Sequence, residues 1–176
     1  MFMFSDPIKN IAELGVEHGM KIVDIGSGSG FYAIELAKKV GPSGRVYAVD
    51  IQQDLLTRIK NSAMGAGLHN IEVINGDVEK LGGTKVREAI AERVVFSNTL
   101  FQIDPKSRDN VALEIKRLLK SGGKLMVIDW NEDSSFKPAE AVPQSLAQGL
   151  FEKNGFKIEK TFDAGDHHYG MIFKKI

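Results

Sequence analysis

No cysteine occurs among the 176 residues of this chain. That absence excludes disulfides, thiolate metal sites and cysteine nucleophiles together, and it fits a cytoplasmic setting. Neither charge is in excess: 23 Lys and Arg stand against 23 Asp and Glu. No global field therefore favours nucleic acid or an anionic membrane, although a local basic patch stays open. No apolar run reaches membrane-spanning length. The opening MFMFSDPIKN lacks the cationic region and long apolar region of a secretory signal. Internal repeats and low-complexity segments are missing. So is any GxxxxGK[ST] string, which removes a phosphate-cradling loop of that kind. The length is that of one domain, expected to run over 1–176, and is enough to bury a sizeable core.

Glycine, by contrast, is concentrated where it matters. Lys21 to Ala33 reads KIVDIGSGSGFYA. Ile22, Val23 and Ile25 are the apolar run of a buried strand. Gly26, Gly28 and Gly30, with Ser27 between them, form a turn into a helix. Three glycines in five residues mark a backbone that turns sharply or touches a ligand. The uncapped N–H groups and positive dipole end of the following helix suit an anionic group. Gly28, Gly30 and Ala33 fit the G-x-G-x-x-G/A dinucleotide fingerprint, and Asp50 follows where a ribose-binding acid belongs. A nicotinamide or flavin dinucleotide is thus one candidate ligand. Asp24, two residues before the first glycine, points elsewhere, because a carboxylate there repels a pyrophosphate and suits an ammonium group.

The rest of the chain alternates strands and helices. Met1 to Phe4 is an apolar tip expected to fray or pack locally, with covering of a pocket as the alternative. Ser5 or Asp6 caps a helix with Pro7 near its start, ending before Gly19, so that residues 1–20 form an N-terminal helix or lid. Helices are expected at 31–40, 54–66, 85–92, 109–120 and 143–154. Strands are expected at 45–51, 71–75, 94–97 and 124–129. Ser121-Gly122-Gly123 is read as a helix stop. Two closing strands, 156–162 and 169–174, are joined by the turn cluster at 163–166 and must be antiparallel. The fold class is α/β: a mostly parallel seven-stranded sheet with an antiparallel C-terminal hairpin and helices on both faces.

Four stretches together resemble one family. VDIGSGSG at 23–30, VYAVDI at 46–51, NGDVEKL at 75–81 and LLKSGGKLMVID at 118–129 are similar, in order, to motifs of class I S-adenosylmethionine-dependent methyltransferases. The closing hairpin is similar to that family's antiparallel finish. The nearest flavour is the quinone-biosynthesis and arsenite methyltransferase group, without the cysteines of its arsenite members, which argues against arsenic as substrate. The resemblance implies a Rossmann-like fold, S-adenosylmethionine as cofactor and S-adenosylhomocysteine as product. It places the methionine carboxylate at the helix after Gly30, the ammonium at Asp24, both ribose hydroxyls at Asp50, and the adenine against Ile51. Asp77 then receives the adenine amine and backbone at Val78 completes that edge. Where quinone-type relatives often carry Leu-His-His, this chain reads Ser97-Asn98-Thr99-Leu100-Phe101-Gln102, so a histidine base is not inherited there.

Ligands of open α/β sheets bind beyond the carboxyl ends of the parallel strands. Asn98, Trp130 and the hairpin residues His167, His168 and Tyr169 all fall on that edge and are the acceptor-pocket candidates, with Asn98 counted among the cofactor-binding residues as well. Strand alternation allows at most one of the two histidines to face the pocket. Asp129, Glu132 and Asp133 match no metal motif, so no metal is expected. The acceptor is expected to be a small molecule. Alternatives are a protein or RNA acceptor with a partner subunit, or a non-catalytic S-adenosylmethionine-binding subunit. The oligomeric state is not legible.

Overall fold

A computed structural model describes residues 5–176. The Met1–Phe4 tip, and any covering role for it, lies outside the described residues. Seven strands form one sheet in the order β3-β2-β1-β4-β5-β7-β6. β1 (Lys21–Ile25), β2 (Arg45–Asp50), β3 (Ile71–Asn75), β4 (Ala91–Ser97) and β5 (Leu119–Trp130) are mutually parallel. β6 (Phe156–Gly165) and β7 (His168–Lys175) form the antiparallel hairpin, with β7 against β5.

Alternation along each strand sorts two cores. Val23, Val94, Leu125 and Phe173 face α4 (Arg108–Leu118) and α5 (Gln144–Lys153). Ile22, Val46, Val95 and Met126 face α1 (Pro7–Leu14), α2 (Phe31–Val40) and α3 (Gln53–Gly65). Strands buried on both faces are nearly continuous apolar runs, as parallel sheets require. Asp24 is the exception, because it takes the alternation slot that follows Ile22 and is itself buried.

Asp6, not Ser5, caps α1, accepting from the backbone N–H groups of Ile8 and Lys9 at 3.1 and 3.3 Å. The helix stops sooner than expected, at a left-handed Gly15. No helix forms over 85–92. There Lys85 and Ala89 take positive φ, and the N–H groups of Ala89 and Ile90 donate to the carbonyls of Arg117 and Leu118 at the end of α4. Tertiary hydrogen bonds thus override a helical-looking apolar period. Ser121-Gly122-Gly123 falls inside β5, where the β4–β5 register jumps between Ala91 and Arg93, rather than after a helix. The hairpin strands run longer than expected, and the reversal is at Asp166-His167. No helix among the described residues is long and apolar enough to cross a membrane.

Candidate functional site

The carboxyl ends of β1, β2, β3 and β4 open onto a cavity of about 640 Å³. Asp24, Gly26, Ser27, Gly28, Asp50, Ile51, Asp77, Val78 and Asn98 all line it. Gly30 does not. It is the N-cap of α2 at φ +86, and a Cβ there would meet Ile59 Cγ1 at 2.6 Å, so this glycine lets α2 pack on α3. Gly28 lies at φ +53 with room on its Cβ side, the nearest atom being the Gly26 carbonyl oxygen at 3.8 Å.

The N-cap of α2 is Gly30, which has no side chain to cap the first-turn N–H groups. Asp50 ends β2 and braces the loop, with one carboxylate oxygen accepting from Gly28 N–H at 3.0 Å and the other from Gln52 N–H at 2.9 Å. Each oxygen retains a second lone pair for a ligand hydroxyl. Ile51 is 68% exposed beside it, an apolar face open to the cavity. Asp77 is held by Glu79 N–H at 3.0 Å and pairs with Lys80 at 3.0 Å. The Lys80 bond keeps its carboxyl below the usual range, so it stays an acceptor.

Asp24 differs from these. Its Oδ2 is buried and has no hydrogen-bond partner among the described residues. Burial pushes its carboxyl up to about 7, with Ser27 opposing and Asp50 adding to the rise. An orphaned buried carboxylate oxygen at a cavity wall fits a cationic ligand group. Asn98, in the left-handed region at φ +51, likewise keeps a buried Oδ1 without a partner. Its N–H donates to the Ile128 carbonyl at 2.8 Å, which fixes the β4 exit to β5.

Of the acceptor-pocket candidates, only Asn98 lines the cavity. Tyr169 points to the opposite face of the sheet, is 4% exposed, and donates its hydroxyl to the Val142 carbonyl at 3.0 Å. The topological rule placed it on the right edge but could not choose the face. Trp130 and His168 are directly paired across β5 and β7 and stack at 4.4 Å on the Asp24 face, outside the lining. His167 sits in the hairpin reversal, with Nδ1 at 3.1 Å from Ser134 Oγ and its ring 4.9 Å from Phe136. The His167 ring belongs to the packing of the 131–142 loop. The hairpin is separated from β4 by β5, which is why the shared rim did not bring its residues to the cavity.

Sequence reasoning missed Ser5, Tyr32, Thr99 and Gln102, which also line the cavity. Thr99 packs on Gly26, where a Cβ would collide with its side chain. Asp129 was seen only as an acidic neighbour. It is fully buried and accepts from Phe101 and Trp130 N–H at 3.2 and 2.8 Å, which shapes the 98–102 turn. Burial raises its carboxyl to about 6 despite those donors.

Among the described lining residues there are four carboxylates, Asp24, Asp50, Asp77 and Glu79, and no Lys, Arg or His. Such a wall disfavours a pyrophosphate and fits a ligand with cationic groups, a ribose and an adenine. No group of three or more metal-ligating side chains able to hold an ion is found among the described residues.

Comparison with known proteins agrees with this geometry. Residues 16–169 match the methyltransferase-domain family. The ubiquinone/menaquinone biosynthesis C-methyltransferase of Cupriavidus necator is 29% identical over 138 residues, covering 74% of this chain and 50% of that protein. The arsenite methyltransferase of Aquipseudomonas alcaligenes is 33% identical over 115 residues, 63% of this chain and 33% of its own length. The chain thus spans half or less of the length of these curated relatives. A SAM-dependent methyltransferase from Aquifex aeolicus superposes with a TM-score of 0.86 at 26% identity, covering 98% of this chain and 91% of that one. The chain belongs to the methyltransferase-domain family, in the class I S-adenosylmethionine-dependent group, and S-adenosylmethionine is the cofactor its site fits.

Proposed function

We propose that this protein transfers a methyl group from S-adenosylmethionine to a small-molecule acceptor. The observation that carries the reading is the carboxylate-lined, cation-free cavity at the exit of β1, with Asp24 Oδ2 unpartnered in its wall. When bound, the cofactor supplies an electrophilic methyl on a sulfonium. The residues hold and orient: α2 N–H groups for the carboxylate, Asp24 for the ammonium, Asp50 for the ribose, and Ile51, Asp77 and Val78 for the adenine. Asn98 and Gln102 close the β4 side, where an acceptor enters. In-line displacement needs mainly orientation and exclusion of water, and no charged base stands in this wall beyond the carboxylates. The relatives' names, a ubiquinone/menaquinone biosynthesis C-methyltransferase and an arsenite methyltransferase, support a small acceptor. The cysteine-free sequence supports a cytoplasmic setting.

Calorimetry tests the reading. S-adenosylmethionine or S-adenosylhomocysteine is expected to bind at micromolar level or tighter and NAD not at all. Asp50→Ala is expected to weaken cofactor binding by about 1.5–3 kcal/mol, the scale of hydrogen bonds to a charged group. Equal binding of NAD, or unchanged affinity in that variant, would sink the assignment.

The Asp24 carboxyl gives a pH signature. An ammonium partner needs the ionised form, so a titration near pH 7 makes affinity fall as pH falls. The expected slope is about tenfold per pH unit below neutrality, with proton release on binding that grows as the buffer becomes more acidic. Calorimetry in buffers of different ionisation enthalpy measures both. A flat affinity between about pH 5.5 and 8 would remove Asp24 from the ammonium site. For the ligand-free protein the sign runs the other way. The carboxyl is raised from 3.8 to about 7 on folding, so its contribution is full below the unfolded value and is lost as pH rises through the folded one.

A further inference from the structure

The balanced composition leaves room for a local basic patch, and the fold builds one. Strand β1 begins at Lys21 and β2 at Arg45, and these two residues are register partners. Next to them Arg93 of β4 pairs with Ile22, and Lys124 of β5 pairs with Arg93. Lys174 of β7 then pairs with Lys124, and Lys157 of β6 with Lys174. A row of cationic side chains thus crosses β2-β1-β4-β5-β7-β6 at the edge where the parallel strands begin. At the usual strand spacing it is about 24 Å long. Acidic residues gather at the other edge, with Asp24, Asp50 and Asp77 in the cavity wall and Asp129 and Asp163 near the ends of β5 and β6. A net charge of zero therefore hides a separation of charge along the strand axis.

Ordinary structural roles account for part of this row. Arg93 donates to the Leu14 and Gly15 carbonyls at 2.9 and 3.1 Å, at the end of α1. Lys124 pairs with Glu159 at 2.8 Å. A lysine on an edge strand guards against edge-to-edge pairing, which covers Lys157 alone. Lysines in the last turn of a helix answer its dipole, as Lys38, Lys116 and Lys153 do. Lys21, Arg45, Lys157 and Lys174 stand on strands instead. All four are exposed, and among the described residues no ion pair holds any of them. Like charges directly opposite on adjacent strands are destabilising, and here Lys21 faces Arg45 while Lys174 faces both Lys124 and Lys157. An unfavourable row without counter-charge in its own chain fits an anionic partner laid across it.

The form of the row selects that partner. The exposed aromatic rings among the described residues, Phe31 and Phe136, follow the carboxyl ends of β1 and β5. The basic edge therefore offers nucleic-acid bases no stacking platform. Its lysines are point charges on flexible stems, without the fork that reads a phosphate bidentately. A straight row of such charges meets a flat anionic surface all at once, while the same surface repels the acidic edge. We propose that the amino-end edge of the sheet, through Lys21, Arg45, Lys124, Lys157 and Lys174, docks this protein on the anionic headgroups of a lipid bilayer, with the cavity facing the water. The proposal stands apart from which cofactor or acceptor the cavity takes.

The test is flotation of the full chain with vesicles of phosphatidylcholine alone and of phosphatidylcholine containing about one-third phosphatidylserine. Binding is expected to the second kind only, and to weaken at least about tenfold when salt is raised from about 0.05 to 0.5 M. Lys157→Gln and Lys174→Gln, which keep most of the side-chain stem, should each lower the partition about fivefold, and about 25-fold together. Calorimetry with S-adenosylmethionine is the control: its affinity in the double variant should stay that of the unsubstituted chain, because neither lysine lines the cavity. Equal binding to both kinds of vesicle, binding to neither, or an unchanged partition in the double variant overturns the proposal. Tighter binding of a mixed-sequence RNA than of the anionic vesicles, lost in the same variants, overturns the bilayer as the partner. Each of these outcomes leaves the cofactor assignment as it stands.

Discussion

Gly28→Val is expected to abolish measurable cofactor binding while leaving a cooperatively folded protein. The structure separates the two effects. At Gly28 an added Cβ meets no protein atom closer than 3.8 Å, so the core is undisturbed and the side chain projects into the loop's open side. The φ of +53 costs a non-glycine residue about 1–2 kcal/mol, a loss a domain of this size survives. The ligand meets the branched side chain, and the Gly28 N–H that Asp50 holds is displaced with it. Affinity should fall by at least about a hundredfold, the scale of a lost charged hydrogen bond combined with a steric block. Gly26→Val is the control with the opposite character. Its Cβ would collide with Thr99, so this variant should lose stability first. Calorimetry and thermal unfolding on both variants check the pair. Normal cofactor binding by Gly28→Val would mean that the glycine-rich turn serves only the chain reversal.

The second large effect is expected at a residue outside the cavity lining. Glu114 on α4 is fully buried and accepts from Gly82 N–H at 2.7 Å, Thr84 N–H at 3.3 Å and Thr84 Oγ1 at 2.5 Å. Arg117 grips both carboxylate oxygens at 2.7 and 2.8 Å. Burial alone would raise this carboxyl, but Arg117 and the Thr84 and Gly82 donors outweigh it and leave it lowered. Glu114→Ala removes the carboxylate acceptor of Gly82, Thr84 and Arg117 at once, leaving Arg117 only the Val86 carbonyl and Thr84 Oγ1, which should cost about 3 kcal/mol. In thermal unfolding that is a fall of roughly 10 °C for a chain of this length. The loop it pins backs the Asp77 side of the cavity, because Asp77 N–H donates to the Gly83 carbonyl at 2.9 Å. Cofactor affinity in the surviving folded protein should therefore drop as well. The pH dependence follows from the lowered carboxyl. Its contribution is present above the unfolded value of 4.5 and is lost as pH falls through the folded one, the reverse of Asp24. A Glu114→Ala protein with unchanged melting temperature would show that this network contributes nothing net.

The fold and the strand-end residues that line the cavity were legible in the sequence, and the reason is local. Asp24, the glycine turn, Asp50, Ile51 and Asp77 each stand at or within a few residues of a strand's carboxyl end. A parallel sheet brings such ends to one edge whatever the packing details. Period-2 and period-3.6 apolar patterns fixed the strand and helix order for the same reason. What the tertiary structure decided is everything that depends on which face a residue takes and on what lies across the chain from it. Val86 and Ile90 carry an apolar period that reads as helix, yet backbone bonds to the end of α4 hold the segment open. Tyr169 and His168 are adjacent in sequence, and the pleat sends them to opposite faces, Tyr169 to Val142 and His168 to Trp130. Asn10 and Tyr32 read as one helix residue and one glycine-turn neighbour, 22 positions apart, and only the docking of α1 makes them a pair. Local chemistry is written where the chain turns. The choice of face and the contacts between distant segments are written across the chain, where no single stretch of sequence carries the signal.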